Sequence, residues 1–451
     1  MKVVKFGGTS LASGEQIEKV FNIVIADPAR KVVVVSAPGK RFKEDTKVTD
    51  LLILCAEQYL QHGEGKEAFQ AVIARYKEIA EYLGLSHDII DRISMDLLEI
   101  LHGDRSNVAK FMDAVKASGE DNNAKLVAAY FNKQGVEAYY VNPKEAGLIV
   151  SDEPGNAQVL PESYDNLRAL RERSGILIFP GFFGYSKEGD IVTFSRGGSD
   201  ITGSILANGV QADVYENFTD VDAVYCVNPN FVPNPKEIKE LTYQEMRELS
   251  YAGFAVFHDE ALIPAFRASI PVNIRNTNNP EAPGTRIVSE RQHTNGPIIG
   301  IASDSGFCNI HVSKYLMNRE VGFGRKLLHI LEDYGLSYEH TPSGIDNISV
   351  ILRQNQLTTE MEEQIIQRIQ EELAVDSVVF EHDLAVIMIA GQGMQAKIGT
   401  TSRASTALAK AKVNIEMINQ GSSEVSMMFG VKGADEQAAV RALYEEFFNK
   451  N

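Results

Sequence analysis

Residues Met1–Ser10 read MKVVKFGGTS, and the turn from Lys5 to Ser10 decides how the rest of the chain is read. An apolar run, Val3-Val4-Lys5-Phe6, has the residue types of a buried strand and runs straight into two glycines, a threonine and a serine. A plain strand-to-helix connection needs one glycine at most. A pair lets backbone N–H groups approach a ligand closely, and a lysine with two hydroxyls adds donors for an anion. The same residues are also compatible with an ordinary tight βα turn. They are not a Walker A loop, because no Gly-Lys-Ser/Thr follows at the required spacing.

The rest of the chain narrows the partner. With 451 residues there is length for two to four domains and ample core. A formal net charge of −17 argues against nucleic acid or an anionic membrane as the main partner. An anionic substrate then needs a local cationic pocket, so individual lysines and arginines carry weight. Cys55, Cys226 and Cys308 lack metal-ligand spacing and fit a reducing compartment. No run of eighteen apolar residues and no signal peptide are visible, and a cytoplasmic location is expected.

Short β-branched or aromatic runs alternate with helical stretches through the first two-thirds: KVVKF, KVVVVSA, GVEAYYV and GILIFPGFFG, with helical segments such as GEQIEKVFNIVIAD and DNNAKLVAAYFNKQG between them. This order predicts an α/β domain with a mainly parallel central sheet, whose ligands sit outside the carboxyl ends of the strands. Several consecutive helices are expected from Thr49 to His102, inserted near the sheet edge. The character changes near Pro283, and 283–297 reads as a linker. Beyond it the order strand, glycine turn, helix, strand, strand, helix occurs twice, which predicts two α+β modules in tandem. The expected domains are therefore 1–283, 297–375 and 376–451.

Four segments carry the chemistry. The first is Lys5-Phe6-Gly7-Gly8-Thr9-Ser10. The second is Ser36-Ala37-Pro38 after four valines, with Thr49 a few residues on. The third is Ser118-Gly119-Glu120, read as the opening of a long helix from Asp121, where an acid is by default solvated. The fourth is Ser195-Arg196-Gly197-Gly198-Ser199-Asp200 before a helix. There Asp200 serves either as a helix cap or as a site residue, and Arg196 offers a fork matched to a carboxylate.

These motifs, with FTDVDAVY, with PVNIRNTNNPEAPGT and with the two modules behind them, resemble the aspartate kinases of the amino-acid kinase family over essentially the whole chain. The resemblance implies the amino-acid kinase fold followed by two ferredoxin-like ACT modules. It implies ATP-dependent phosphorylation of the side-chain carboxylate of L-aspartate with Mg²⁺, and feedback control by an end-product amino acid. It assigns Arg196 and Thr49 to the aspartate carboxylates, Glu120 to its ammonium, and Ser36 and Ser199 to the same pocket. Thr219, Asp220 and Tyr225 match the adenosine-side loop. Two family cations are missing, at Asn230 and Ala255. Physical chemistry agrees with the centre: moving a phosphoryl group between two anions needs positive charge and fixed donors. Lys5, with the N–H groups of Gly7 and Gly8, supplies them, and Asp200 holds Lys5 by a charge-assisted hydrogen bond.

In the first module the resemblance marks Met317, Glu320, Gly322, Phe323, Ser337 and Glu339 as effector candidates, with Ser337 and Glu339 on the next strand. Met317 and Phe323 are equally readable as core, and Glu339 as a solvated residue. An acid there favours lysine over threonine as effector. A homodimer or a tetramer of dimers is expected, with no nucleic acid, membrane or protein-bound metal site. A catalytically silent amino-acid sensor of the same fold is the competing reading.

Overall fold

The structure is a computed structural model that describes residues 1–195, 197–254, 259–291, 296–421 and 423–449. Arg196 and Ala255, singled out above, lie outside the described residues. The described residues fall into two compact units. One is built from Met1–Val224, Glu237–Tyr243 and Val256–Arg291, the other from Tyr225–Lys236, Gln244–Ala255 and Gln292–Asn451.

In chain order the elements up to residue 219 are β1 (Lys2–Phe6), α1 (Gly14–Ile25), β2 (Arg30–Val35), α2 (Val48–His62), α3 (Lys66–Tyr82), α4 (His87–Leu101), α5 (Val108–Lys133), β3 (Ala138–Tyr140), α6 (Glu162–Leu167), β4 (Ile176–Pro180), β5 (Phe183–Tyr185), β6 (Ile191–Thr193), α7 (Gly198–Gly209) and β7 (Val214–Thr219). Then follow β8 (Val224–Tyr225), β9 (Glu237–Ile238), β10 (Glu240–Thr242), α8 (Tyr243–Tyr251), α9 (Ile263–Arg267), β11 (Val272–Asn276) and β12 (Thr285–Val288).

The first unit holds an eight-stranded sheet ordered β10-β12-β11-β7-β1-β2-β4-β3. β1 pairs in parallel with β2 on one side and with β7 on the other, so the strand order reverses at β1. That is the switch point at which such sheets open a crevice beyond their carboxyl ends. Val32, Val33, Val34 and Val35 are all fully buried, because both faces of the sheet are covered. The expected helical insertion is α2 to α4, whose apolar faces join a core with α5 that includes Leu52, Tyr76, Ile93 and Phe131.

Three sequence expectations change here. First, α5 starts at Val108 rather than Asp121, capped by Asn107, whose side chain accepts from the Lys110 N–H at 3.2 Å. Ser118-Gly119-Glu120 is therefore mid-helix. Gly119 does not break the helix because it faces a tight contact: a Cβ there would stand 2.9 Å from the Ala37 methyl and 3.0 Å from Leu52. Second, part of the expected linker is a strand. β12 alternates Thr285 and Ile287, both fully buried, with outward neighbours, and pairs with β11 and β10. Third, 225–236 and 244–255 lie before Pro283 yet belong to the second unit.

The second unit continues with β13 (Gly300–Ser313), α10 (Phe323–Asp333), β14 (Asn347–Arg353), α11 (Thr359–Leu373), β15 (Ser377–Ala390), α12 (Thr400–Lys410), β16 (Met417–Asn419), β17 (Ser426–Lys432) and α13 (Glu436–Tyr444). They form one sheet ordered β14-β13-β15-β17-β16. β13 and β15 are long enough to serve both modules. Phe307–Ser313 pairs with β14 and the first half of β15, while Gly300–Ser305 pairs with Ala385–Ala390 beside β17. The register shifts on either side of Phe307, where Gly306 lies in the left-handed region at φ +82° on β13 and Asp383 at φ 56° on β15. The modules are thus interleaved rather than divided at residue 375. Ser337 and Glu339 are not on a regular strand. That edge is made of two isolated bridges, His340 to Ile351 and Ser343 to Ile348.

Candidate active site

The carboxyl end of β1 places Lys5 between β2 and β7, where it is 7 % exposed. Its Nζ stands 2.7 Å from Asp200 Oδ1, in the first turn of α7. α7 begins after Gly197, which takes the left-handed conformation at φ +80°. Asp200 makes no side-chain cap; instead the Asn217 amide, from β7, donates to the same Oδ1 at 2.5 Å and to the Tyr215 hydroxyl at 3.1 Å. The cap alternative for Asp200 therefore falls. Its carboxylate is spent on orienting a lysine.

One donor expectation is corrected. The Gly7 N–H continues the parallel ladder and donates to the Phe218 carbonyl at 3.2 Å, so it is not available to a phosphate. Gly8 opens a short 3-10 turn, and its carbonyl accepts from the Gly39 N–H at 2.8 Å. The two loops meet backbone to backbone. A Cβ on Gly39 would stand 2.5 Å from the Gly8 carbonyl carbon, and one on Gly8 would stand 3.0 Å from the Ala37 oxygen.

α5 supplies the neighbouring wall. Glu120 is 5 % exposed, not solvated, and burial pushes its carboxyl up to about 8 against the opposing pull of the Ala37 N–H and the Lys47 charge. Its Oε2 atom is buried without a hydrogen-bond partner. One turn on, the Asn123 amide donates to the Ser36 carbonyl at 2.7 Å. Ser36 is half-buried at the end of β2, and Thr49 is half-buried in the first turn of α2. Ser199 is nearly buried, packed so closely on the loop after β4 that a Cβ on Gly181 would meet its Oγ at 2.7 Å.

The motif at 276–279 acts as a brace. Thr277 Oγ1 lies 2.7 Å from Ser10 Oγ, and the Thr277 N–H donates to the Thr219 carbonyl at 2.9 Å. Asn276 and Asn279 both donate to Asp222 Oδ1, at 2.8 and 3.1 Å. The loop carrying Thr219 and Asp220 is thereby tied to the glycine turn. Tyr225 belongs to the second unit.

Sequence reading missed Asn217, Gly39 and Asn123. A signal existed for the first: Glu216-Asn217 puts two polar residues in the middle of an otherwise strand-like VYENF, and both are buried.

In the second unit Met317 and Phe323 are 7 % and 4 % exposed and sit in the core with Leu327, Val350 and Ile365. Their side chains are packing groups, and only their backbones remain for a ligand. Glu320 is clamped between Lys314 at 2.6 Å and Lys326 at 2.8 Å, and these partners lower its carboxyl from the usual range. Gly322, at φ +79°, precedes α10. The Ser337 amide and hydroxyl both donate to Gln356 Oε1 at 3.0 Å. Glu339 accepts from the Tyr251 hydroxyl and lies 3.7 Å from Arg353 Nε.

The sequence profile of the amino acid kinase family matches residues 1–276, and that of the ACT domain matches residues 387–447. Aspartokinase 3 of Bacillus subtilis (strain 168) is 69 % identical over 448 residues, covering 99 % of both chains. The chain belongs to the amino acid kinase family, as an aspartokinase. The enzyme is an aspartate kinase with an ACT-containing allosteric region. Its fold matches the crystal structure of Clostridium acetobutylicum aspartate kinase, described as an important allosteric enzyme, with a TM-score of 0.88 at 38 % identity, covering 99 % of this chain and 100 % of that one. E. coli aspartokinase III, solved in complex with aspartate and ADP in the R-state, matches with a TM-score of 0.79 at 25 % identity, covering 99 % of each. Among the described residues no helix is long and apolar enough to cross a membrane.

Proposed function

We propose that this aspartokinase binds L-aspartate between the end of β2, α5 and the start of α7, and MgATP across the glycine turn after β1. The observation that carries the aspartate half is Glu120: a buried carboxyl with an unpartnered oxygen, next to the Ala37 N–H, becomes a receptor for an ammonium once it is ionised. Thr49, Arg196, Ser36 and Ser199 supply donors for the substrate carboxylates. Lys5 lies where charge passes from the γ-phosphoryl to the β-phosphate, and Asp200 with Asn217 keeps its ammonium from wandering. The Gly8 N–H, not that of Gly7, is the backbone donor of the turn. Thr219 and Asp220 face the nucleoside side.

Asp200 Oδ1 is already engaged by Lys5 and Asn217, and Mg²⁺ is expected to arrive on the phosphates of the nucleotide. Asn230 and Ala255 leave the nucleotide phosphates relying on Lys5 more heavily than in relatives with cations there.

The same reading extends to regulation. Lysine is the effector, ahead of threonine, bound near Glu339, Ser337, Glu320 and the Gly322 turn, with backbone contacts from Met317 and Phe323. The enzyme works as a homodimer or a tetramer in the cytoplasm. The decisive assay is ADP release with L-aspartate, ATP and Mg²⁺, together with hydroxylamine trapping of the acyl phosphate, with and without lysine. Trapping with glutamate but not aspartate would sink the substrate assignment, and no turnover at all would favour the silent sensor.

A further inference from the structure

We propose that Arg75, on α3 of the helical insertion, is a positioning residue for aspartate binding: it shapes the loop that joins Ser36 to Thr49. The inference rests on the placement of the aspartate pocket given above. Residues 37–48 connect two groups of that pocket, and a loop of this length has no fixed form of its own.

Arg75 gives it one. The side chain is 5 % exposed, an unusual place for an arginine on a helix. Nη1 donates to the Gly39 carbonyl at 2.9 Å. Nη2 donates to Asp45 Oδ2 at 2.7 Å and to the Thr46 carbonyl at 2.9 Å. One guanidinium thus grips the loop near both ends. Asp45 is 9 % exposed and also receives Arg41, through its backbone N–H at 2.9 Å and its guanidinium at 2.9 and 3.0 Å. The hydrogen bonds from Arg41, together with the charge of Arg75, hold the Asp45 carboxyl well below the usual carboxylate range. Arg41 reaches on to Glu78 of α3 at 2.5 Å, a second tether to the same helix.

On the other side the loop meets the glycine turn through one backbone bond and closes on itself through another. The Gly39 N–H donates to the Gly8 carbonyl, and the Val48 N–H donates to the Pro38 carbonyl at 3.0 Å. Gly8 itself is anchored by β1 at the centre of the sheet, so it does not need Arg75. Thr49, which follows the loop, does. Losing Arg75 therefore loosens the aspartate side and leaves the nucleotide side in place.

The test measures both KM values and the melting temperature for Arg75→Met, Arg75→Lys, Thr49→Val and Arg30→Met. Arg30 is the control: 7 % exposed, it is about as buried, and its guanidinium bonds Glu216 at 2.6 Å and the Ile23 carbonyl at 2.5 Å, both outside the loop. Arg75→Met is expected to raise the aspartate KM on the order of tenfold or more while the ATP KM moves by less than about twofold. Arg75→Lys, which keeps charge but reaches fewer acceptors, should fall between it and wild type, and it stands in if the methionine variant does not fold. Arg30→Met should lower the melting temperature without the KM split. If Thr49→Val raises the aspartate KM and both Arg75 variants leave it unchanged, Arg75 is only structural and the inference is overturned. If Thr49→Val has no effect either, the placement of the pocket fails first.

Discussion

Lys5 Nζ and Asp200 Oδ1 lie 2.7 Å apart, one at the end of the central strand and the other in the first turn of α7. Their link across 195 residues of sequence fixes an ammonium that would otherwise sample many rotamers. Lys5→Met should lower kcat by about 10²–10³, because a donor aimed at developing charge is worth roughly 3–4 kcal/mol. Asp200→Asn and Asn217→Leu should each lower kcat less, since the lysine remains but is no longer held. Steady-state kinetics with saturating aspartate checks all three, and an unchanged kcat in Lys5→Met would remove it from the chemistry.

In the proposed site, Glu120 should make aspartate binding depend on pH. With its carboxyl at about 8 in the free enzyme, it is mostly protonated at pH 7 and becomes a partner for the substrate ammonium only on losing that proton. The aspartate KM should fall as pH rises from about 6.5 to 8.5, and binding near pH 7 should release close to one proton. Calorimetry in buffers of different ionisation enthalpy measures that release. Glu120→Gln should abolish the release and raise the aspartate KM.

The same shift affects stability, with the opposite sense. The folded enzyme keeps the Glu120 proton to higher pH than the unfolded chain, whose carboxyl titrates near 4.5. This group's contribution is therefore fully present below that value and is lost as pH rises through about 8. Glu120→Gln should show a flatter melting temperature between pH 5 and 8 than wild type, roughly the window between those two titrations. Parallel curves for the two proteins would contradict the burial of the charge.

Gly39 cannot accept a side chain. A Cβ would meet the Gly8 backbone at 2.5 Å, and neither loop has a flexible tip to give way. Gly39→Ala should cost about 1–3 kcal/mol of stability and lower kcat/KM for both substrates. Thermal unfolding and kinetics read both effects. A neutral result would mean that the glycine-loop contact is slack in solution.

Glu339 is engaged before any effector arrives, by the Tyr251 hydroxyl and near Arg353. A lysine ammonium bound at the proposed effector site would have to compete for that carboxylate. Glu339→Ala should raise the lysine concentration for half-inhibition about 10- to 100-fold, the equivalent of one charge-assisted contact, without changing the uninhibited rate. Tyr251→Phe, which removes a competitor, should shift the curve the other way. Inhibition curves for the two variants that overlay wild type would take the effector site elsewhere.

Much of this enzyme was legible in its residue order. The valine-rich strands, the glycine turn after Lys5, the helices of the insertion and the repeated pattern of the last third are local features, and local periodicity reports them well. The motif residues also named the elements of the proposed site, through the family resemblance they carry. What the order of residues did not contain is which groups meet. That Gly7 spends its N–H on Phe218, that Asn217 rather than a cap bond engages Asp200, and that Asn123 grips Ser36 from 87 residues away all depend on strand pairing and helix packing between distant segments. Glu120 shows the difference most plainly. As sequence it was an acid at a helix start, free to face water. Tertiary packing ran the helix back to Val108 and turned that residue inward against β2. Burial is a property of what covers a residue, and for Glu120 the cover comes from segments far from it in the chain.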